Sequence, residues 1–461
     1  MSNVAAAPSS FWLASLGHIE TRRKLDSDIS VDIAIVGGAF TGLYLAYYLK
    51  KHDPALRISL LEARYCGFGA SGRNGGWVSA LVPFPKGKIE DDYSLEMARA
   101  VDKAMVDGLE EIQRVIELEA IDCEFRRGGT LFLARNKIQE ERLKNNVEEE
   151  NRYRHSPPHV WLDSGELSCH LKNVDALGAA YDEACARVQP AKLVRGLADV
   201  VESLGVDIYE DTSVVGIVPG SLTTRDSFKV RAKSIVQCTE AFSSSVTSPI
   251  GGSMIPIYSL MVITQPLADS FFDNVGWSKY ETITDGRNLI IYAQRTDDNR
   301  IAIGGRGAPY SFGSKLHARS ERNPKITDLL VKALKELFPH LKDVKIDYEW
   351  GGAIAATRDL IPNIYYDEVL GIGASYGYVG DGVTSSNVAA RTLRDLVLGE
   401  EDTELTSLPW VNHRSRQWEP EPLRYLGVNG SILVARTIDY LEQRDVEASF
   451  LKWVLRALVP K

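Results

Sequence analysis

The chain has 461 residues, of which 44% are hydrophobic and 25% charged, an ordinary globular composition long enough for two or three domains. Its net charge of −9 leaves no basic footprint and argues against a nucleic-acid binder, and no apolar run reaches the length of a membrane span. The five cysteines (Cys66, Cys123, Cys169, Cys185 and Cys238) are odd in number without C-x-x-C spacing, which fits free thiols in a reducing compartment; with no basic-then-apolar leader in Met1 to Ser10, the expected location is cytoplasmic.

Val31, Ile33, Ala34, Ile35 and Val36 read as a strand buried on both faces. The turn Gly37-Gly38-Ala39-Phe40-Thr41-Gly42 follows, and Leu43 to Leu49 continues as a helix. Strand, glycine turn and helix in that order aim unpaired N–H groups and a positive helix end at a pyrophosphate. Glu62 ends a second apolar run, Ile58 to Leu61, twenty residues beyond Gly42. A ribose-binding carboxylate belongs there. Ala39 stands where the middle glycine of the fingerprint would be.

Ala63 and Arg64 lead into Gly67 to Gly76, which holds five glycines and the run Ala70-Ser71-Gly72-Arg73-Asn74-Gly75-Gly76. Such a segment is neither regular helix nor central strand. Its position after the ribose-binding strand suggests a loop wrapped along an extended cofactor.

Helical periodicity runs from Asp91 to Glu119, and Lys137 to Tyr153 reads as a charged, exposed helix. Ala176 to Glu202 reads as helix, turn and helix, broken at Pro190. Short strands are expected at Val206 to Tyr209 and Thr212 to Val218, and Lys229 to Cys238 alternates before Thr239. From Ile255 to Gly307 the pattern is β-rich, as in an antiparallel sheet with one ligand-facing side. After a helix from Lys325 to Leu337, a second turn, Gly377-Tyr378-Val379-Gly380-Asp381-Gly382-Val383, opens a helix reaching Leu398. Spacing alone leaves open whether this turn meets a ligand or only tightens a connection. The histidines show no metal-like spacing, most reading as surface residues. The end, Phe450 to Leu458, has Leu451, Val454, Leu455 and Leu458 on one face; packing on the body or a partner subunit is favoured over a membrane surface.

Taken in order, these segments resemble the D-amino-acid-oxidase (DAO) superfamily of flavoproteins, in its glycine, sarcosine and gamma-glutamylputrescine oxidase group. The match runs through Val36 to Gly42, Glu62, Gly69 to Gly76, Gln189 to Val194, Gly304 to Gly307, Trp350 to Gly352, Gly377 to Val383 and Trp418 to Gly427. The resemblance implies an α/β fold. A Rossmann-like FAD-binding domain (31–95, 155–245 and 350–400) would be interleaved with a mixed or antiparallel β-sheet substrate domain (96–154 and 246–349), with a C-terminal helical extension over 401–461. It implies extended FAD, with adenosine near Gly37 to Glu62, Val214 or Val215 at the adenine, Thr239 beside the cofactor, and the flavin near Ser71 to Gly76 and Gly377 to Val383.

The reaction it implies is oxidation of the C–N bond of a small-molecule amine, the hydride passing to FAD and the imine then hydrolysing. O2 is the expected acceptor. Transfer to a quinone or carrier protein is the alternative, and a non-catalytic flavin-binding partner protein is a third reading. No metal is expected, and a homodimer is open. Covalent attachment in such flavoproteins uses a histidine in the loop or a late cysteine; here stand Arg73-Asn74 and, as last cysteine, Cys238, so non-covalent FAD is expected. Ile354 stands where glycine-oxidase-like members carry a carboxylate-binding arginine, which disfavours simple α-amino acids, although Arg306 or Arg295 could clamp an acid group instead. Tyr258, Tyr376 and Tyr378 are candidates for an aromatic wall. Asp381 reads either as a helix cap or as a contact to substrate or ribityl chain.

Overall fold

The computed structural model describes residues 10–154, 156–248, 253–341 and 343–459. Its first sheet runs in the order Asn363–Asp367, Ile372–Tyr376, Lys229–Gln237, Ile29–Val36, Ile58–Leu61 and Asp207–Tyr209, with the pair Val214–Val218 and Ser221–Thr224 attached to one side. Neighbours on this path are parallel except at the Asn363–Asp367 edge. Alternate residues of the central strand feed two cores, which is why its sequence is almost continuously apolar. Ile33 and Ile35 face the helical layer, while Ala34 and Val36 pack with Leu222 and Ile372 on the other side.

Register aligns the strand ends. Val36 lies opposite both Leu61 and Gln237, Gln237 opposite Ala374, and Leu61 opposite Tyr209. Four carboxyl ends therefore finish level at one edge, where open α/β sheets take their ligands. Helices Phe40–His52, Leu95–Leu118, Pro190–Ser203 and Gly382–Leu398 share one apolar core over this sheet.

The second sheet also has eight strands, in the order Ile346–Thr357, Met254–Thr264, Ile301–Gly305, Ile291–Arg295, Thr282–Asp285, Thr130–Ala134, Gly178–Asp182 and Val160–Asp163. It is antiparallel apart from the pairing of Thr282–Asp285 with Thr130–Ala134, so the expected mixed sheet is present. Helix Pro324–Leu337 packs Ile326, Leu330, Leu334 and Leu337 into its core. Among the described residues no helix is long and apolar enough to cross a membrane.

Several expectations need correction. Ala176 to Glu202 is not helix, turn and helix: Gly178–Asp182 and Cys185–Arg187 are strands, and only Pro190–Ser203 is helical. Gly178–Asp182 is held between two partners, Leu131 facing Tyr181 and Leu162 facing Ala179, and tertiary pairing overrides the helical preference of its alanines. Pro190 begins its helix rather than breaking one, at the first turn where no N–H is needed, and the Gln189 side chain accepts from Lys192 N at 2.8 Å. The boundaries also shift: Leu95–Leu118 joins the core of the first sheet, and Val160–Asp163 and Gly178–Asp182 belong to the second. His159 is buried, 3.8 Å from Asp182, and His170 and His413 pair with Glu281 and Asp359; His155 lies outside the described residues.

Candidate active site

The first glycine turn leaves the central strand at its carboxyl end. Gly37 has φ +113, and a Cβ there would stand 2.4 Å from Cys238 O, so only glycine fits. Ala39 occupies the N-cap of Phe40–His52 without a side-chain cap bond. Phe40 N donates to Ser71 Oγ at 3.2 Å, and the N–H groups that follow it in the first turn are left for an anion. Glu62 stands at the end of the neighbouring strand. Its carboxylate accepts from Gly38 N at 2.8 Å and Arg64 N at 2.9 Å, and burial outweighs these bonds in raising its pKa above the ordinary value.

The loop after Glu62 is braced from outside. Asn74 donates to Ala70 O and Ser71 O and accepts from Gly76 N at 2.7 Å. Trp12 donates to Asn74 O and Trp350 to Arg73 O. Arg73 donates to Phe68 O at 2.8 Å and pairs with Glu321 at 2.8 Å. These anchors hold Ser71, Asn74 and Gly75 along the cavity edge.

The second turn closes on the first. Tyr378 OH is 2.8 Å from Thr41 Oγ1, 337 residues earlier, and 2.7 Å from Ser375 Oγ. Gly380, at φ +106, would place a Cβ 2.9 Å from Arg306 Nη2 and 3.6 Å from Ile354 Cδ1. Arg306 donates to Val379 O at 2.7 Å. Arg306 and Ile354 therefore converge on one backbone position. Asp381 precedes the helix Gly382–Leu398 but makes no capping bond. It faces the cavity, where burial raises its pKa against the pull of Arg306.

One cavity of about 1580 Å³ joins both turns. Small-molecule pockets usually hold about 300–1,000 Å³, so there is room for an extended dinucleotide and a substrate together. The first turn, through Gly37, Ala39, Phe40 and Thr41, lines it with Glu62, Ala63, Arg64 and Val214. Ala70, Ser71, Arg73, Asn74, Gly75 and Thr239 continue the wall. Tyr378 to Val383 meet it at the far end with Tyr258 and Arg306.

Gly38, Gly42, Gly72, Gly76 and Gly377 shape the turns without lining the cavity. Val215 faces outward while Val214 faces in. Tyr376 is turned away, its hydroxyl 3.1 Å from Ser253 Oγ and 3.4 Å from Asn363 Oδ1. Arg295 is not a clamp, because Trp277 O and Asn299 Oδ1 take its guanidinium at 2.5 and 2.6 Å. Tyr258 keeps its place, with its hydroxyl accepting from His317 N at 3.0 Å.

Two parts of the site lie outside the glycine turns and the carboxylate that mark it in the sequence. Glu240, at φ +44, lines the cavity and accepts from Gly377 N at 2.7 Å and from Tyr378 N and Ala355 N at 3.4 Å. Its pKa is pushed up to about 7 by burial. The other is the C-terminal hairpin of Leu423–Glu442 and Ser449–Leu458, whose Gly427, Val428, Ile432 and Leu455 line the same cavity. Asp439 ties the hairpin down, accepting from Asn288 N at 2.7 Å and Leu289 N at 2.9 Å. A carboxylate just past the end of a parallel strand was the available signal for Glu240.

The uncapped helix start at Ala39, the carboxylate of Glu62 and the length of the cavity fit FAD. The family profile of FAD-dependent oxidoreductases, DAO, matches residues 32–396. Gamma-glutamylputrescine oxidoreductase of Escherichia coli (strain K12) is 30% identical over 403 residues, covering 85% of this chain and 89% of that protein. Glycine oxidase of Bacillus licheniformis is 24% identical, covering 80% of this chain and 93% of its own. Among solved structures, glycine oxidase from Geobacillus kaustophilus superposes with a TM-score of 0.67 at 22% identity, covering 84% of this chain and all of that one (100%).

Proposed function

The chain belongs to the DAO family of FAD-dependent oxidoreductases, and from that premise we propose that it oxidises a C–N bond of an amine bearing no carboxylate on the reacting carbon. The observation that carries this reading is the convergence of Arg306 and Ile354 on Gly380, with Asp381 beside them. Ile354 presents methyl groups to the cavity, and an α-carboxylate buried against them would go unpaired, at a cost of about 3–5 kcal/mol. Arg306 stands close enough to receive an acid group placed further along the substrate. Asp381 attracts the substrate ammonium and, with its raised pKa, takes a proton on a carboxylate oxygen, leaving the amine neutral. Tyr258 and the hairpin residues Val428 and Ile432 exclude water from the reacting carbon.

Bound FAD supplies the hydride acceptor, at flavin N5, and the imine left on the substrate hydrolyses to an aldehyde or ketone. Gly37, Ala39, Phe40, Thr41, Glu62 and Val214 would hold its adenosine diphosphate end, and Ser71, Arg73, Asn74 and Gly75 with Tyr378 to Val383 would hold the ring. The proposed acceptor is O2, giving H2O2; peroxide formation in air against dye reduction separates this from transfer to a quinone or carrier protein.

The test is anaerobic flavin reduction across polyamines, acylated amines, N-methyl amines and amino acids. Rapid bleaching by amines without an α-carboxylate is expected, with glycine and D-alanine slow. Fast reduction by glycine or D-alanine overturns the substrate reading, and no reduction by any amine leaves the chain as a flavin-binding partner protein.

A further inference from the structure

The strand Ile291–Arg295 presents alternate residues to the two sides of the second sheet. Ile291 and Ala293 enter the core that helix Pro324–Leu337 covers. Tyr292 turns the other way, packs with Met261, Ala302 and Trp350, and lines the cavity. From the same face Gln294 donates to Gly75 O at 2.7 Å, so this side of the strand abuts the loop after Glu62. Two glycines seat the tyrosine ring: a Cβ at Gly304 would stand 2.4 Å from it, and one at Gly75 would stand 2.6 Å away. Trp77 meets the ring edge-on, with centroids 6.3 Å apart. Tyr292 is thus a fixed piece of the wall with one polar atom, its hydroxyl oxygen.

Hydrogens decide what that atom can do. Ser259 Oγ is 3.3 Å from Gly305 O and 2.8 Å from the Tyr292 hydroxyl. A carbonyl only accepts, so the single serine hydrogen goes to Gly305 and the tyrosine hydrogen goes to the serine. The Tyr292 oxygen is left with lone pairs and no hydrogen to offer the cavity. Burial raises its pKa, against the Ser259 bond and the charge of Arg306, so the phenol keeps its hydrogen at neutral pH. The same Arg306 charge acts on Asp381, and the three groups surround one part of the cavity.

We infer that Tyr292 binds the substrate, its hydroxyl oxygen accepting an N–H of the amine. The inference rests on the proposed amine oxidation and narrows its substrates to primary and secondary amines. A neutral amine of either kind gives one hydrogen to Tyr292 and keeps its nitrogen lone pair to drive hydride departure from the neighbouring carbon. A neutral tertiary amine has no hydrogen to give. A carboxylate oxygen would set lone pair against lone pair at this hydroxyl, which adds to the exclusion imposed by Ile354.

The test is anaerobic flavin reduction in the full FAD-loaded chain, parent and Tyr292→Phe, with Kd taken from the concentration dependence of the rate. The probes are butylamine and N,N-dimethylbutylamine, with the panel amine that reduces the parent fastest and its tertiary N-methylated form beside them. In the parent the tertiary form should bind about tenfold more weakly, the worth of one hydrogen bond. Tyr292→Phe should raise Kd for the parent amine about tenfold and bring the two forms close together, with FAD content and the flavin spectrum unchanged. A variant that keeps the parent's Kd and the parent's ratio shows a ring that only packs and overturns the inference. So does a variant with an altered flavin spectrum and an unaltered ratio, which assigns the hydroxyl to the cofactor. A parent that no amine reduces overturns the proposed function and this inference with it, whereas a reducible parent matched by its variant overturns this inference alone.

Discussion

Glu240 shows how one side chain can set the behaviour of the site. It sits at positive φ and ties the second glycine turn to the strand Ile346–Thr357. Burial moves its pKa from the ordinary 4.5 to about 7. The folded apoprotein therefore binds more protons than the unfolded chain between those values. Stability is highest below about pH 4.5 as far as this group is concerned, falls as pH rises to about 7, and stays lower above it, by at most about 3 kcal/mol. Glu240→Gln keeps an acceptor for Gly377 N and removes the titration. Urea unfolding of the apoprotein from acid to neutral pH should show this slope in the parent and a flatter profile in the variant; parallel profiles would exclude Glu240 as the cause. In the sequence its only mark is its place just past the strand Lys229–Gln237. Its partners lie more than a hundred positions away, and a single carboxylate after a strand has no periodicity. Gly37 and Glu62 were legible because their roles are local: a turn at the end of a buried strand, and a carboxylate at the end of the next.

At the scale of elements, the two glycine turns work as a pair. Strand, turn and helix could be read at both places, yet only the first had a fingerprint with an acidic partner, so the second stayed undecided until the resemblance placed it. The fold brings them together through Tyr378, whose hydroxyl meets Thr41 Oγ1 and Ser375 Oγ. Tyr378→Phe would strip both buried partners of a hydrogen bond, at about 1–3 kcal/mol, while leaving the ring in place. The expected result is faster FAD dissociation on dilution with an unchanged substrate KM, measured by flavin fluorescence and steady-state kinetics; unchanged FAD retention would mean the turns are held together by packing alone. Elements whose identity depends on distant pairing were the ones misread. The alanine-rich stretch before Pro190 has helical propensity, and only its two neighbours in the second sheet make Gly178–Asp182 a strand.

Over the whole molecule, the cavity joins what the chain keeps apart. The first turn, the loop after Glu62 and the second turn belong to the parallel-sheet half, Tyr258 and Arg306 to the second sheet, and the last wall to the C-terminal hairpin. Strands of the two sheets alternate along the chain, in keeping with the lack of any linker in the sequence, whereas the hairpin's place over the cavity was not legible, because its inner face holds small and aliphatic residues such as Gly427 and Val428 that look like ordinary packing. A cofactor spanning both sheets should stabilise them together. Binding to the folded state alone adds about 2.7 kcal/mol at a hundredfold excess over Kd. No covalent tether is expected, since Arg73 and Asn74 stand in the loop where a histidine would be needed and Cys238, the last cysteine, is buried at the first turn. Acid precipitation should therefore leave the yellow colour in the supernatant. Protein stripped of flavin under mild conditions should unfold at a lower temperature and regain its midpoint when FAD is added back. Colour retained in the pellet would show a covalent bond. A midpoint indifferent to FAD would show that the two sheets hold together without it, and that the cavity is preformed rather than completed by its ligand.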